Sequence, residues 1–274
     1  MYASTFAALA ALALISPEAA LSQVAAHKTL VVLLAHADDE GPVAPMLARY
    51  AREGVQIHPI IASNGSQGAG TQPGGISRPE TGLQGDELSR VREAEARCAS
   101  EALGMQAPIL LGFPDGKLGD YVGDRSLLFR LTQRVAEELQ RLHPDAIVTW
   151  GPDGGIGHPD HRIVSDIATQ LVRTEAPGAP ERLFYMSLPA DAIRAMVPQR
   201  GAPPLLIPAA KYFTVRVSFA PQDLLAAERS MACHRSQFTP DVVRRVSAAA
   251  GCAWNGVIAL SPAFPTEPTT DLFP

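Results

Sequence analysis

Residues 28–40 read Lys-Thr-Leu-Val-Val-Leu-Leu-Ala-His-Ala-Asp-Asp-Glu. The segment 28–35 is rich in Leu and β-branched residues, which is typical of a central parallel strand that is buried on both faces. His36 and the three acids at 38–40 follow it directly. Because α/β sheets bind their ligands beyond the carboxyl ends of parallel strands, this stretch predicts both a central strand and a functional site at its end.

A second polar cluster follows another buried strand. Residues 157–161 read Gly-His-Pro-Asp-His, and the apolar segment 145–150 precedes them. Pro159 favours the first position of a helix, which places His158 at its N-cap. Histidines and carboxylates at two strand ends suit a divalent metal such as zinc, with spare groups for proton transfer. The alternative is that both clusters are polar helix N-termini. That alternative accounts for a single acid, but less well for the combination of histidines and acids in each cluster.

The remaining pattern alternates strands and helices. Repeated alternation predicts an α/β fold, a Rossmann-like three-layer α/β/α sandwich around a mostly parallel sheet. The Pro-rich tail after Trp254 is expected to be irregular, and Trp150 is expected to pack in the core. Further strands are predicted at 55–62, 109–112, 182–188 and 212–219, and helices at 43–53, 86–103, 222–234 and 241–250, with two more capped by Asp124 and begun by Pro159.

Bulk composition limits the class of protein. The 274 residues carry a formal charge of −5 with no basic cluster, so nucleic acid is excluded as an expected partner. Residues 1–22 are apolar and Ala-rich and predict a secretory signal peptide, which leaves 23–274 as a single domain with no integral membrane segment. Export to the periplasm or the medium is therefore expected. The alternative is a mis-assigned start or a disordered N-terminus.

The cysteines do not define a disulfide framework. Their number, three, is odd, and they lie at Cys98, Cys233 and Cys252. In an exported protein Cys233 and Cys252 could pair, although buried thiols are an equal alternative. No Cys-x-x-Cys occurs, which excludes a thiolate zinc site of that type.

The two clusters together resemble the PIG-L/LmbE-like family of zinc-dependent N-acetylglucosaminyl deacetylases. Residues 35–40 match five of six positions of that family's Ala-His-Pro-Asp-Asp-Glu block, and Ala37 is the departure. Residues 158–161 reproduce its His-Pro-Asp-His motif in full. Residues 92–104 fit its Arg-x-x-Glu-x-x-x-Ala-x-x-x-Leu-Gly helix, and 234–237 resemble its His-x-Ser-Gln segment. The resemblance covers about residues 29–237.

The resemblance implies a metal site. Its zinc ligands would be His36, Asp39 and His161. Two imidazoles and one carboxylate leave a coordination position for water and a substrate carbonyl. Nitrogen and oxygen ligands also admit iron, cobalt or manganese. Replacement of the usual Pro by Ala37 loosens the turn without removing a ligand atom.

The resemblance also implies catalytic roles. Asp38 would be the general base, His158 would stabilise the oxyanion or act as an acid, and Asp160 would orient His158. The implied function is a hydrolase that removes the N-acetyl group from an N-acetylated amino sugar or glycoconjugate by metal-activated water. The alternative is a non-catalytic metal- or sugar-binding protein on the same scaffold. A nucleotide-binding dehydrogenase is disfavoured because no Gly-x-Gly-x-x-Gly follows the first strand.

Supporting roles are less specific. Arg92 is expected to form a buried ion pair with Glu95, with substrate contact as the alternative. His234 either supports the site or lies on the surface. The Asn64–Gly65 segment either lines the cleft or belongs to a mobile loop at 64–85.

Overall fold

A computed structural model describes residues 28–67, 81–155, 157–187 and 208–274. In these ranges seven strands form one sheet in the order β3-β2-β1-β4-β5-β7-β6. The strands are β1 (Thr29–Leu34), β2 (Gln56–Ser63), β3 (Ile109–Phe113), β4 (Ala146–Trp150), β5 (Leu183–Met186), β6 (Val215–Ser218) and β7 (Val257–Pro262). The helices are α1 (Ala44–Arg52), α2 (Gly85–Leu103), α3 (Arg125–Leu142), α4 (Pro159–Arg173), α5 (Pro221–Cys233) and α6 (Pro240–Trp254).

Five strands run parallel, from β3 to β5, and the predicted α/β fold is confirmed. β7 pairs antiparallel with both β5 and β6 and so closes the far edge of the sheet. Every residue of β1 after Thr29 is buried. Because successive side chains of a strand point to opposite faces, both faces of the sheet centre are covered, as in a three-layer sandwich.

The order of the strands predicts where a ligand binds. The chain builds outward from β1 through β2 to β3 and then returns to place β4 on the other side of β1, with Leu33 opposite Thr149. Thr149 Oγ1 donates to the Leu33 carbonyl at 2.7 Å and ties the two strands together. Such a reversal opens a crevice at the carboxyl ends of the two strands. Both polar clusters of the sequence lie at these ends.

The C-terminal tail is not irregular, as the sequence suggests, because it contributes β7. The segment 257–260 is apolar and carries a strand, while the prolines that suggested irregularity begin at Pro262, its last residue. The cysteine pairing also differs from both sequence alternatives. Cys98 on α2 pairs with Cys233 at the end of α5, and Cys252 is an exposed free thiol.

Two predicted segments lie outside the described residues: the leader at 1–22 and the loop residues 68–80. Within the described ranges, no helix is both long and apolar enough to cross a membrane.

Candidate metal centre

The three predicted metal ligands converge from the carboxyl ends of β1 and β4. His36 Nδ1 lies 3.2 Å from His161 Nε2 and 3.4 Å from Asp39 Oδ1. The third side of the triangle, from His161 Nε2 to Asp39 Oδ1, measures 3.1 Å. All three side chains are buried. One carboxylate oxygen and two imidazole nitrogens therefore surround a common point.

This spacing fits a tetrahedral metal ion. Ligand atoms about 2.0 Å from such an ion lie about 3.3 Å from one another, close to the sides of the triangle. Asp39 keeps Oδ1 for this point because its Oδ2 accepts hydrogen bonds from the backbone N–H groups of Ala35 and His36, each at 2.9 Å. Three ligands leave a fourth position for water or substrate, as in catalytic zinc sites.

Two carboxylates hold His36 from its far side. His36 Nε2 lies 3.2 Å from Asp115 Oδ1 and 3.4 Å from Asp160 Oδ2. These three residues lie close enough together to hold an ion themselves. However, both oxygens of Asp160 already accept backbone hydrogen bonds, from Gly116 at 2.8 Å and Leu118 at 3.0 Å. We therefore assign the two acids to orientation: a proton on Nε2 directs the Nδ1 lone pair toward the other ligands.

The turn that follows β4 positions His161. Its Nδ1 donates to the carbonyl of Gly154 at 3.0 Å, which leaves Nε2 as the acceptor atom. Gly154 has φ of +72°, and a Cβ there would lie 2.7 Å from the His158 carbonyl oxygen, so the turn requires glycine. The His161 ring also stacks on Trp150, with centroids 4.2 Å apart. Trp150 is buried as predicted and in addition packs against a predicted ligand.

The electrostatics favour a positive charge at the centre. Burial acts to lower the pKa of His36, but the charge of Asp39 and hydrogen bonds to Asp115 and Asp160 outweigh it and raise that pKa well above its ordinary value. Burial acts to raise the pKa of Asp39, which His161 and His36 nevertheless hold well below its ordinary value. The same carboxylates would stabilise a bound cation.

Asp38, the predicted base, is held by an arginine. Its Oδ1 accepts a hydrogen bond from Arg92 Nη2 at 2.9 Å, and 14% of its side chain stays exposed, enough for a water to reach it. Arg92 also contacts Asp115, with Nη1 3.2 Å from Oδ2. The predicted partner, Glu95, instead accepts hydrogen bonds from the backbone N–H and the hydroxyl of Ser236, both at 2.7 Å. The expected Arg92–Glu95 pair is thus replaced by two contacts that connect α2 to the site and to the segment after α5.

His158 is placed to donate a hydrogen bond. It is the N-cap of α4, and its Nδ1 accepts the backbone N–H of Asp160 at 3.2 Å. In the neutral ring the proton therefore sits on Nε2. Burial, followed by the charges of His36 and His161, lowers the pKa of His158 to about 4. The ring is neutral at pH 7, which makes His158 a hydrogen-bond donor rather than a cation.

The role predicted for the Asp160 carboxylate needs correction. It does not orient His158, whose contact with Asp160 is made through the backbone N–H. The first turn of α4 instead points the side chain of Asp160, 1% exposed, toward His36 and the turn after β3. The Asp160 carboxylate is therefore placed to orient His36, one of the predicted metal ligands.

Glu40 links the first motif to the end of α5. Its Oε1 accepts a hydrogen bond from Ser230 Oγ at 2.6 Å and lies 2.8 Å from His234 Nε2. His234 is 1% exposed, so a surface position is wrong. Burial acts to lower the pKa of His234, but the charge of Glu40 outweighs it and raises that pKa. His234 thus supports the residue next to the predicted ligand Asp39.

Asp115 and Glu40 have no individual role predicted from the sequence. Asp115 lies in a Pro-Asp-Gly turn, and turn formation alone explains such a residue. A carboxylate directly after a parallel strand is the signal that identifies it, because it shares the edge of the sheet with His36. Asn64, at the end of β2, holds this turn by accepting the Asp115 N–H at 3.3 Å.

Known proteins share this arrangement of strands. A crystal structure of teicoplanin deacetylase Orf2 in its zinc-inhibited form superposes with a TM-score of 0.60 and 18% identity, over 86% of this chain and 97% of that one. The 4-carboxy-2-hydroxymuconate hydratase GalB of Pseudomonas putida KT2440 superposes with a TM-score of 0.56 and 16% identity, over 87% and 97%. At these identities the likeness extends to the fold alone.

Sequence comparison is more specific. A 1D-myo-inositol 2-acetamido-2-deoxy-alpha-D-glucopyranoside deacetylase of Corynebacterium urealyticum is 27% identical over 242 residues, which cover 78% of this chain and 72% of the relative. The family model described as PIG-L, GlcNAc-PI de-N-acetylase, matches residues 31–172. That match spans more than half of the chain and contains His36, Asp39 and His161. The chain therefore belongs to the PIG-L family.

Proposed function

We propose that this protein is a zinc-dependent hydrolase that removes the N-acetyl group from an N-acetylated amino sugar or glycoconjugate. The observation that carries the proposal is the convergence of His36, Asp39 and His161 at the edge where Asp38 and His158 also lie. The name of the Corynebacterium relative specifies an N-acetylated glucosaminyl inositol as what that enzyme deacetylates. Zinc is supported by the donor set of two nitrogens and one oxygen, and the zinc-inhibited form of the Orf2 deacetylase indicates that a protein of the same fold interacts with zinc.

The residues supply the remaining steps of amide hydrolysis. A divalent metal held by the three ligands would polarise the amide carbonyl and lower the pKa of water. Asp38 accepts the proton of the attacking water as the water oxygen bonds to the carbonyl carbon. The Nε2–H of His158 donates to the carbonyl oxygen as negative charge develops there. The C–N bond then breaks, the proton passes to the departing amine, and acetate and the free amino sugar result.

The fold alone does not decide between this reaction and another. The hydratase GalB has the same fold, and a binding protein without turnover could also use it. The intact Asp38 favours hydrolysis, because a pure binding site needs no base. Arg92 also holds that carboxylate in place, as an oriented proton acceptor requires.

The test is acetate release from N-acetylglucosamine and its glycosides. Protein treated with a chelator should lose activity, and addition of one equivalent of zinc should restore it, with manganese, iron and cobalt as parallel additions. Elemental analysis of the purified protein identifies the resident metal. Acetate release that survives complete metal removal would exclude the metal role. Metal and sugar binding with no cleavage of any substrate would favour the binding protein.

We also propose that the chain is exported and cleaved after residue 22. The apolar segment at its N-terminus and the Cys98–Cys233 disulfide support this, because disulfides persist in oxidising compartments. Intact mass of the protein from the periplasm or medium should correspond to 23–274. An uncleaved chain confined to the cytoplasm would contradict export without affecting the hydrolase proposal.

A further inference from the structure

A cavity of about 520 Å³ is bordered by the loop that runs from β4 toward the candidate metal centre. Its walls come from the loop after β4, the end of β5, the segment 211–214 and the segment 261–266. This volume is within the range of small-molecule binding sites. None of the residues proposed to bind metal or to act in hydrolysis lines this cavity.

The cavity and the metal centre share one loop. Gly151, Pro152 and Asp153 line the cavity, and the next residue, Gly154, accepts the hydrogen bond of the metal ligand His161. The neighbouring wall is the end of β5, which is the parallel partner of β4. The cavity and the candidate metal centre therefore lie at the carboxyl ends of adjacent strands and share the loop after β4.

The lining is mainly apolar and aromatic. Four rings contribute to it, together with the thioether of Met186 and several prolines. The rings are those of Tyr185, Tyr212, Phe213 and Phe264. The charged side chains are few: Asp153, whose Oδ2 accepts the Gly155 N–H at 2.9 Å, and Lys211, whose ammonium lies 5.0 Å from the Tyr212 ring. A surface of this kind recognises apolar groups better than hydroxyl-rich ones.

We propose that this cavity is a subsite for an apolar substituent of the N-acylated amino sugar whose amide lies at the metal centre. The inference rests on the proposed deacetylase function and narrows its substrate class. The substituent is either the acyl chain on nitrogen or an alkyl or aryl group at the anomeric carbon. Both are apolar and both are attached to the same sugar ring, so the lining recognises the same chemistry in either case.

Two homologous series of substrates distinguish these sources. One extends the acyl chain of glucosamine from acetyl to octanoyl, and the other extends the glycoside of N-acetylglucosamine from methyl to octyl. A buried methylene is expected to raise kcat/KM about threefold to fourfold until the cavity is filled. A rise in the acyl series identifies the acyl chain, and a rise in the glycoside series identifies the aglycone. Flat responses in both series overturn the proposal.

Matched variants connect the response to the cavity. Tyr212→Ala removes an exposed aromatic ring of the lining, and Phe129→Ala removes an exposed ring on α3 that does not line it. Thr266→Trp fills the rim of the cavity, and Glu267→Trp places the same ring one residue away, outside the lining. The ratio of kcat/KM between the longest and shortest substrates should fall about tenfold in Tyr212→Ala and Thr266→Trp and stay unchanged in the two controls. Equal loss in lining and control variants contradicts the assignment.

A binding measurement tests the cavity even if hydrolysis is never observed. Failure of zinc-loaded protein to release acetate from every substrate rejects the proposed function. Calorimetric titration with hexyl and methyl glycosides of N-acetylglucosamine then tests the cavity alone. Tighter binding of the hexyl compound that is lost in Tyr212→Ala supports the subsite, and equal affinities reject it.

Discussion

The metal centre and the apolar cavity lie at adjacent strand ends but differ in construction. In the candidate metal centre, each predicted ligand side chain is buried and held by a hydrogen bond to backbone or to a carboxylate. The lining of the cavity is mainly apolar and includes four aromatic rings. The family match, residues 31–172, contains the whole metal centre. Most of the cavity lining, at 185–187, 208, 211–214 and 261–266, lies beyond it.

The difference indicates that the two regions serve separate functions. The three predicted ligand atoms must be held in place to within a few tenths of an ångström, and the residues that contact them restrict one another's positions. An apolar wall tolerates changes of side chain as long as volume and shape are kept. We infer that the reaction depends on the first region and substrate choice on the second. The two can therefore be altered separately.

The largest effect is expected from removal of a metal ligand. His161→Ala deletes one corner of the triangle and should remove both bound metal and activity, the latter by about 10³-fold or more. Tyr212→Ala in the cavity should retain its full metal content. Elemental analysis and acetate release measure the two quantities. A His161→Ala protein that keeps one equivalent of metal and wild-type turnover would place the reaction elsewhere.

Asp38→Asn should separate proton transfer from metal binding. Asparagine keeps an oxygen for Arg92 but cannot accept a proton, so kcat should fall about 10²- to 10⁴-fold while metal content is unchanged. Steady-state kinetics combined with elemental analysis provide the readout. A variant with unaltered kcat would show that Asp38 is not the base.

His158→Ala should lower kcat by about 10²- to 10³-fold, because it removes a donor to the developing oxyanion. His158→Gln should recover part of this loss, since its side-chain amide can donate a hydrogen bond. Unlike the cavity variants, both should leave the ratio between long and short substrates unchanged. Comparison of kcat and KM across the two variants checks this. Equal activity of the Gln and Ala variants would argue against a hydrogen-bonding role.

Much of the central fold is predictable from sequence, because its signals are local. The strand before His36 and the helix begun by Pro159 follow from apolar patterning and from the fixed φ of proline. The tail strand β7 is not predictable in the same way. Its pairing with β5 and β6 joins residues distant in the chain, and Pro262 and the prolines that follow it conceal a short apolar segment.

The convergence of the predicted ligands is expected for a similar reason, whereas the contacts that support them are not. His36, Asp39 and His161 belong to two short motifs, and each motif follows a strand. Arg92 and Glu95 lie one helical turn apart, a spacing that suggests a mutual pair. Their actual partners come from other elements, Asp38 and Asp115 for the arginine and Ser236 for the glutamate. Such contacts depend on tertiary packing, which one sequence does not reveal.

The disulfide offers a stability test that leaves both regions chemically intact. Replacement of Cys98 and Cys233 together by Ser should lower the free energy of unfolding by about 2–4 kcal/mol. Cys252→Ser, at the exposed free thiol, should change it by less than about 0.5 kcal/mol. Urea unfolding measures both, and thiol counting should find one free thiol in the native wild-type protein. A larger loss in Cys252→Ser would indicate a different pairing.

The smallest effect is expected at the amino ends of the two central strands, β1 and β4. Asp145, just before β4, accepts hydrogen bonds from the Lys28 ammonium and the Thr29 N–H, both at 2.8 Å. Burial acts to raise the pKa of Asp145, but these two partners outweigh it and lower that pKa below its ordinary value. The native state therefore favours the ionised form, and this amino edge serves as the control for changes at the carboxyl edge.

Asp145→Asn should destabilise the protein by no more than about 1 kcal/mol at pH 7, because the pair is about one-third exposed and screened by solvent. A carboxylate whose pKa is lowered by folding stabilises the native state above its unfolded pKa of about 3.9 and loses that contribution as pH falls through the native value. The difference from wild type should therefore shrink between pH 5 and pH 3, about one unit either side of that pKa. Urea unfolding across this range measures it, with Glu93→Gln at an exposed pair as the control. A difference that grows toward low pH would mean that folding raises the pKa of Asp145 instead of lowering it. Altered metal content in Asp145→Asn would show that the amino edge of the sheet affects the site at the carboxyl edge.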